Sequence, residues 1–229
     1  MAKTKEINEC EDFFEYRKQF SSYHFDHTLK DTQDQGMFKC IAKFQGDWDN
    51  EVASLVKDEK ISQRPVTEKR KQQHDLYRKY GGDAENTFDV CQIDSTNFPK
   101  LWQIAESLGM DHWYAKVHVQ RPGQMIPMHL DKAETTGNTT AFDKDKDAVD
   151  ENNMVRCLVF LDDWYPGQFV MLGQTIITWN RGDAFWFSLQ DAPHATANAG
   201  HKNRPMLVVT GVKGKKFAEL SDNYQEIQV

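Results

Sequence analysis

No apolar run in the 229-residue chain approaches the ~18 residues a membrane-spanning helix needs. The first residues, Met1 to Cys10, are charged and contain no apolar stretch, so no secretory signal and a cytoplasmic location are expected. Cysteine is scarce. The four present, Cys10, Cys40, Cys91 and Cys157, lie 30 or more residues apart with no metal-type spacing, which reads as free thiols in a reducing compartment. There is no internal repeat, P-loop, GxGxxG, CxxC pair or GxSxG elbow, which removes NTPase, dinucleotide, zinc-ribbon and α/β-hydrolase chemistry. Positive charge is also in deficit, 28 Lys and Arg against 35 Asp and Glu for a net charge of -7, so a nucleic-acid-coating role has no electrostatic support. Against these absences, 39% hydrophobic and 12% aromatic residues suffice for a sizeable core in one domain.

The chain changes texture near residue 113. Before it, Glu11 to Phe20 carries Phe13, Phe14, Arg17 and Phe20 at roughly helical spacing, and Phe38 to Phe44 alternates as a strand would. Asp49 to Tyr80 reads as two helices broken near Arg64-Pro65, because the residue before proline resists the α region. Within it, Lys57 to Lys79 holds eight Lys/Arg against four Asp/Glu, either a solvated helix face or a basic surface for a partner. Phe98 to Leu108 reads as a helix, with Pro99 in its first turn and Gly109 as its stop. From Trp113 the pattern becomes short β-runs: Trp113–Gln120, Met125–Asp131, Met154–Leu161, Phe169–Leu172, Thr175–Trp179, Ala184–Phe187, His194–Ala197 and Arg204–Thr210. Pro122-Gly123, Pro166-Gly167, Gly173 and Arg181-Gly182-Asp183 punctuate them. Such a series predicts a β-sandwich or small barrel at 113–211, with the mostly helical 1–112 buttressing it and 212–229 as a C-terminal tail. Lys132 to Asn153 interrupts the series with six acidic residues, three lysines and no apolar period; it reads as a long loop, of the kind that serves as a lid or linker.

Four residues carry the chemistry: His129, Asp131, His194 and Arg204. Side chains at i and i+2 of a strand share a face, so His129 and Asp131 converge on one ion while Met128 and Leu130 turn into packing. Spacing alone does not single them out, because His24-Phe25-Asp26-His27 repeats it. Context does: His129 follows the Arg121-Pro122-Gly123 turn and precedes a long β-region able to supply a third ligand, whereas His24 sits in a polar stretch that reads as surface loop. His194 is that third ligand. A turn over Asn198 to Asn203 centred on Ala199 would set His194 and Arg204 opposite one another on a hairpin, facing one interior. Two imidazoles and a carboxylate leave open positions on an octahedral ion, the facial arrangement of non-haem Fe(II) oxygenases, with room for a bidentate 2-oxo acid and dioxygen. The planar fork of Arg204 suits the far carboxylate of that co-substrate. Taken singly, each residue also has a structural reading: a buried histidine, or an arginine paired with an acid.

The order HxD, distal His and Arg ten positions later resembles the Fe(II)/2-oxoglutarate-dependent oxygenase superfamily. Pro122-Gly123, Pro127-Met128-His129, Gly182-Asp183-Ala184-Phe185-Trp186-Phe187, His194, Asn198-x-Gly200 and Arg204 resemble its aspartyl/asparaginyl β-hydroxylase branch, and similar sequences occur among oxygenases encoded by large tailed phages. The likeness covers Trp113 to Gly211. It implies a double-stranded β-helix (jelly-roll) core, Fe(II) held by His129, Asp131 and His194, and 2-oxoglutarate decarboxylated to succinate and CO2 with O2 consumed. A phage origin would place the protein in the host cytoplasm. Animal members of the branch lack the acidic ligand present here as Asp131, and the insertion Lys132 to Asn153 is a second departure; both bear on substrate rather than on iron.

Three further positions are candidates. His118 alternates with Val117 and Val119 and either faces the barrel beside the co-substrate or is a structural histidine. Arg156, among Val155, Cys157, Val159 and Leu161, either meets a substrate or co-substrate carboxylate or forms a rim salt bridge. Trp164, with Tyr165 before the Pro166-Gly167 turn, either lines the mouth or packs beneath the turn. The expected activity is hydroxylation of an unactivated C–H bond in a peptidyl side chain or small metabolite, with ascorbate as reductant in vitro and neither nucleic acid nor membrane as partner. The alternatives are a cupin-like protein with another divalent metal and no 2-oxo acid, and a non-catalytic jelly roll that binds a partner through Lys57 to Lys79.

Overall fold

The computed structural model of the chain describes residues 38–57, 71, 75, 78, 86–129, 153–173, 175–188 and 192–229. The expected helix at Glu11–Phe20, the His24 to His27 cluster, the break at Arg64-Pro65, the ligand Asp131 and residues 132–152 of the insertion lie outside them.

Among the described residues, eleven strands form two sheets. They are β1 (Phe38–Gln45), β2 (Asp89–Gln92), β3 (Asp111–Gln120), β4 (Met125–His129), β5 (Met154–Phe160), β6 (Gln168–Leu172), β7 (Thr175–Ile177), β8 (Asp183–Ser188), β9 (His194–Asn198), β10 (Arg204–Val212) and β11 (Gln225–Gln228). The helices are α1 (Asp49–Ala53), α2 (Pro99–Ser107) and α3 (Lys215–Asp222). The larger sheet runs β11-β1-β8-β5-β10-β3-β2 and the smaller β4-β9-β6-β7. From β3 to β10 the chain passes back and forth between them, except that β6 and β7 follow one another in the smaller sheet, leaving one sheet of β3-β10-β5-β8 facing another of β4-β9-β6-β7. This is a double-stranded β-helix, extended on the larger sheet by β1, β2 and β11.

Alternation explains why β5 is buried along its whole length. Val155, Cys157 and Val159, with Leu207 and Val209 of β10 and Val117 of β3, point outward against Leu101, Ile104 and Leu108 of the α2 region and Phe217 and Leu220 of α3. Leu158, Phe160, Met206 and Val208 point inward against Val170, Leu172 and Ile177 of the smaller sheet. A strand covered on both faces reads as an unbroken apolar run, as this one does.

The buttress is shared between the two halves of the chain. α2 begins at Pro99 as expected, and its first N–H groups are capped from a distance: Lys100 and Leu101 donate to the Glu51 carboxylate of α1 at 2.8 and 3.0 Å. The stretch after Gly211, which shows little pattern in sequence, forms α3 and then β11, which pairs with β1 in parallel. Lys39 caps the C-terminus of α3, its Nζ donating to Ser221 O at 2.7 Å and Asp222 O at 3.3 Å.

One expectation fails. β9 and β10 do not form a hairpin: β9 pairs with β4 and β6, and β10 with β3 and β5. Both edges of each strand are already occupied, so the chain crosses from one sheet to the other between Asn198 and Arg204. Asn198 holds that crossover, its amide donating to Lys202 O at 2.7 Å and Gln120 O at 2.8 Å while its Oδ1 accepts from Gly200 N–H at 3.1 Å. His194 and Arg204 therefore reach the interior from opposing sheets.

Candidate metal and co-substrate site

His129 and His194 end up directly opposite one another, as register partners of β4 and β9. Their rings lie 4.1 Å apart between centroids and tilted by 52°. Each ring is fixed the same way. His129 Nδ1 lies 2.8 Å from Pro127 O and His194 Nδ1 lies 3.0 Å from Ala192 O. A carbonyl only accepts, so Nδ1 carries the proton in both and the lone pair of the neutral ring is on Nε2. Fixing the tautomer through a backbone carbonyl is how proteins orient a metal-binding imidazole. Both histidines are buried, and Phe187 of the larger sheet packs on His194 at 4.8 Å. The register of β4 shifts between Ile126 and His129, so the strand enters its last residue through a bulge, a device that re-aims a side chain. Among the described residues no group of three or more His, Cys, Asp or Glu is gathered, and Asp131 lies outside them.

Across the larger sheet the inward-facing residues form rows. Arg204 is opposite Gln120, Met206 opposite His118 and Phe160, and Thr210 opposite Tyr114 and Arg156. Arg156 is the register partner of Phe187, which places it at the histidine end, and its Nε donates to Thr210 Oγ1 at 3.0 Å. His118 stacks on Phe88 at 4.0 Å in the row next to Arg204. Trp164 is apart from both. Its indole N–H donates to Gln168 O at 2.9 Å, and Gln168 begins β6 at the end away from Leu172, the register partner of His194. Histidines, Arg156, His118 and Arg204 share one interior; Trp164, 38% exposed, stands at the turn outside it.

Arg204 is 4% exposed. Its Nη1 donates to Phe169 O at 2.8 Å, its Cζ lies 5.9 Å from the centre of the Trp179 ring, and its Nε has no acceptor among the described residues. Burial pulls the guanidinium down to about 9, which leaves it charged at neutral pH. The neighbouring Gln120 donates through Nε2 to Thr87 O at 3.1 Å and Thr196 Oγ1 at 3.0 Å, while its Oε1 accepts nothing among the described residues. A buried cation whose Nε has no acceptor among the described residues is a place that an anionic group completes. The donors present thus fit the carboxylate of a 2-oxo acid, and the two Nε2 lone pairs fit a divalent metal.

From the sequence, Gln120 and Thr196 are not singled out, and Phe187 and Asn198 stand as parts of the family motif without a role for either. Thr196 was within reach: it stands at i+2 from His194, the spacing that pairs His129 with Asp131. The other three depend on pairing between sheets, for which one sequence carries no signal.

A scan against protein-family models and a search of curated proteins return no match to this chain. Among solved structures, a prolyl-4-hydroxylase from Pseudomonas putida is similar at 18% identity, TM-score 0.42, over 56% of this chain and 73% of that one. A predicted oxalate decarboxylase from Thermotoga maritima is similar at 9% identity, TM-score 0.33, over 55% and 81%. A cupin domain of a transcriptional regulator from Enterobacter cloacae is similar at 11% identity, TM-score 0.31, over 45% and 84%.

Proposed function

We propose that the protein is an Fe(II)/2-oxoglutarate-dependent dioxygenase that hydroxylates an unactivated C–H bond, in a peptidyl side chain or a small metabolite. The observation that carries this reading is the pairing, in one interior, of two tautomer-fixed histidines with a buried arginine that has no counter-ion among the described residues. His129 and His194 would hold the iron through Nε2, with Asp131, two residues beyond His129, as the carboxylate ligand. When bound, iron and 2-oxoglutarate supply the oxidising chemistry, with O2 consumed and succinate and CO2 released. The chain's own residues bind, orient and exclude water. Arg204 anchors the far carboxylate of 2-oxoglutarate. Leu158, Phe160, Val170, Leu172 and Met206 keep the interior apolar. Arg156, 7% exposed at the histidine end, is assigned in this reading to an acidic group of the substrate or co-substrate. A cupin-type metal protein without a 2-oxo acid has no use for Arg204, and a non-catalytic jelly roll has no use for either histidine's fixed tautomer.

The test is incubation with Fe(II), ascorbate and 2-oxoglutarate in air, with succinate as readout. Succinate is expected from the wild type. It should be abolished in His129→Ala and His194→Ala, which should also lose Fe(II) in an anaerobic titration, whereas His24→Ala keeps both. Iron bound without succinate would leave the cupin-type reading standing; neither iron nor succinate would leave the non-catalytic one. A screen for +O mass shifts then identifies the substrate.

A further inference from the structure

We infer that the outward face of the smaller sheet is the docking site of the chain's own segment Glu11–Phe20. Alternation along the strands decides what that face carries. Val170, Leu172 and Ile177 point into the barrel, so Phe169 and Met171 of β6 and Ile176 of β7 point out. Register then sets Ala195 and Ala197 of β9 beside Met171 and Phe169, and Met125 of β4 beside Ala197. None of the six is polar. Ile176 is 61% exposed and Met125 48%, while α2 and α3 cover the outer face of the larger sheet and not this one. A sheet with one face to water alternates apolar with polar residues, and this one is apolar on both faces. A contiguous apolar surface of that kind marks an interaction site.

Size and position both favour an occupant from within the chain. Four strands spaced by about 4.8 Å and roughly five residues long present on the order of 300 Å². That is well short of the roughly 800 Å² each partner gives to a stable dimer. Ten residues at helical rise are about 15 Å long, which matches the face. Glu11–Phe20 has that length and carries Phe13, Tyr16 and Phe20 at i, i+3 and i+7, with Phe14 beside them among charged residues. It lies outside the described residues, as does everything before Phe38. Phe38 packs on the same inner cluster as Ile177, so the chain ahead of β1 leaves the fold beside β7, an edge of the smaller sheet. From there the tether Ser21 to Met37 reaches up to roughly 55–60 Å, ample for a sheet about 20 Å wide. A tether of that kind holds its segment at millimolar effective concentration, enough for a small face that a free partner would occupy only weakly. The strands so covered include β4 and β9, which carry His129 and His194 on their other side.

The test uses the methionines of the face as probes. Full-length protein, freed of metal with EDTA, is treated with dilute hydrogen peroxide, and the oxidation of each methionine is followed by peptide mass. Met125 and Met171 should oxidise at least about fivefold more slowly in the wild type than in the triple variant Phe13→Ser, Phe14→Ser, Phe20→Ser, because a tethered segment covers the face most of the time. That protection should not change with protein concentration. Met110 and Met206, each 5% exposed, report the fold and should oxidise alike in both proteins. Ile176→Lys approaches from the other side: it should speed tryptic cleavage after Arg17 and Lys18 by a similar factor. Unchanged oxidation in the triple variant would overturn the inference, as would unchanged cleavage in Ile176→Lys. Protection that grows with protein concentration would overturn it in favour of a second copy. Should the triple variant loosen Met110 and Met206 as well, the cleavage of Ile176→Lys decides alone.

Discussion

At Arg204 a guanidinium is taken almost wholly out of water and given one hydrogen bond, to Phe169 O, by the described residues. Burying a charge without a partner costs several kcal/mol, so under the proposed function this residue would weaken the ligand-free fold and gain its partner when the co-substrate carboxylate binds. Arg204→Met keeps the length of the side chain and removes the charge. We expect the ligand-free variant to melt higher than the wild type, by about 2–4 °C for each kcal/mol recovered, while the upward shift in melting temperature given by 2-oxoglutarate disappears. Arg204→Lys keeps a charge but not the fork, and should bind 2-oxoglutarate more weakly with metal affinity intact. A ligand-free Arg204→Met that melts lower than wild type would show that the guanidinium is structural. The thiols mark the other side of the same physics. Burial pushes Cys157 well up and Cys40 to about 11, so neither is a nucleophile at neutral pH.

Among the elements, the turn before β6 and the crossover after β9 decide where Arg204 points. Gly167 adopts φ 91°, and a Cβ there would come within 2.6 Å of Gly200 N and 2.7 Å of Gly200 Cα. The two turns therefore lie back to back, joined by Ala199 N–H donating to Gly167 O at 2.8 Å. Gly123 has a similar φ of 86° with open space around it. The pair separates strain from contact. Gly123→Ala should cost about 1–2 kcal/mol from the left-handed backbone alone. Gly167→Ala should cost roughly 1–3 kcal/mol beyond that, because the backbone of the crossover must also move. Urea midpoints with unchanged m-values would report both, and Gly167→Ala alone should weaken 2-oxoglutarate binding, since the crossover delivers Arg204. Equal losses in the two variants would mean that the turns do not depend on each other.

For the molecule as a whole, the described N-terminal strand and the C-terminal segment close on each other. β11 pairs with β1, Lys39 caps α3, and Phe217 and Leu220 of α3 sit fully or almost fully buried in the outer core with Phe44 and Trp48. The last residues thus cover the face of the sheet opposite the histidines. Removing residues 213–229 should cost about 3–6 kcal/mol from those two apolar side chains alone, with the parallel ladder lost in addition. Chemical denaturation of the truncated chain measures it. A truncated protein with wild-type stability would show that the core strands need no cover on that face.

Local pattern was enough for much of this protein. Period-2 alternation between turn signals marked the eight strands from β3 to β10 within a few residues, and Pro99 and Gly109 bounded α2, because a strand's two faces and a helix's ends are chosen by neighbours a few positions away. Order along the chain also made His129, Asp131, His194 and Arg204 candidates together. The tertiary structure decided the rest. Phe38–Gln45 took its place beside β8, while Asp89–Gln92 and Gln225–Gln228 became the two edges of the larger sheet, which such four-residue segments show only once a partner is present. The stretch from His194 to Arg204 carries the signature of a hairpin and became a crossover instead. Whether two strands joined by a turn pair with each other depends on which hydrogen-bonding edges are still open, and in a jelly roll those edges belong to strands far away in sequence.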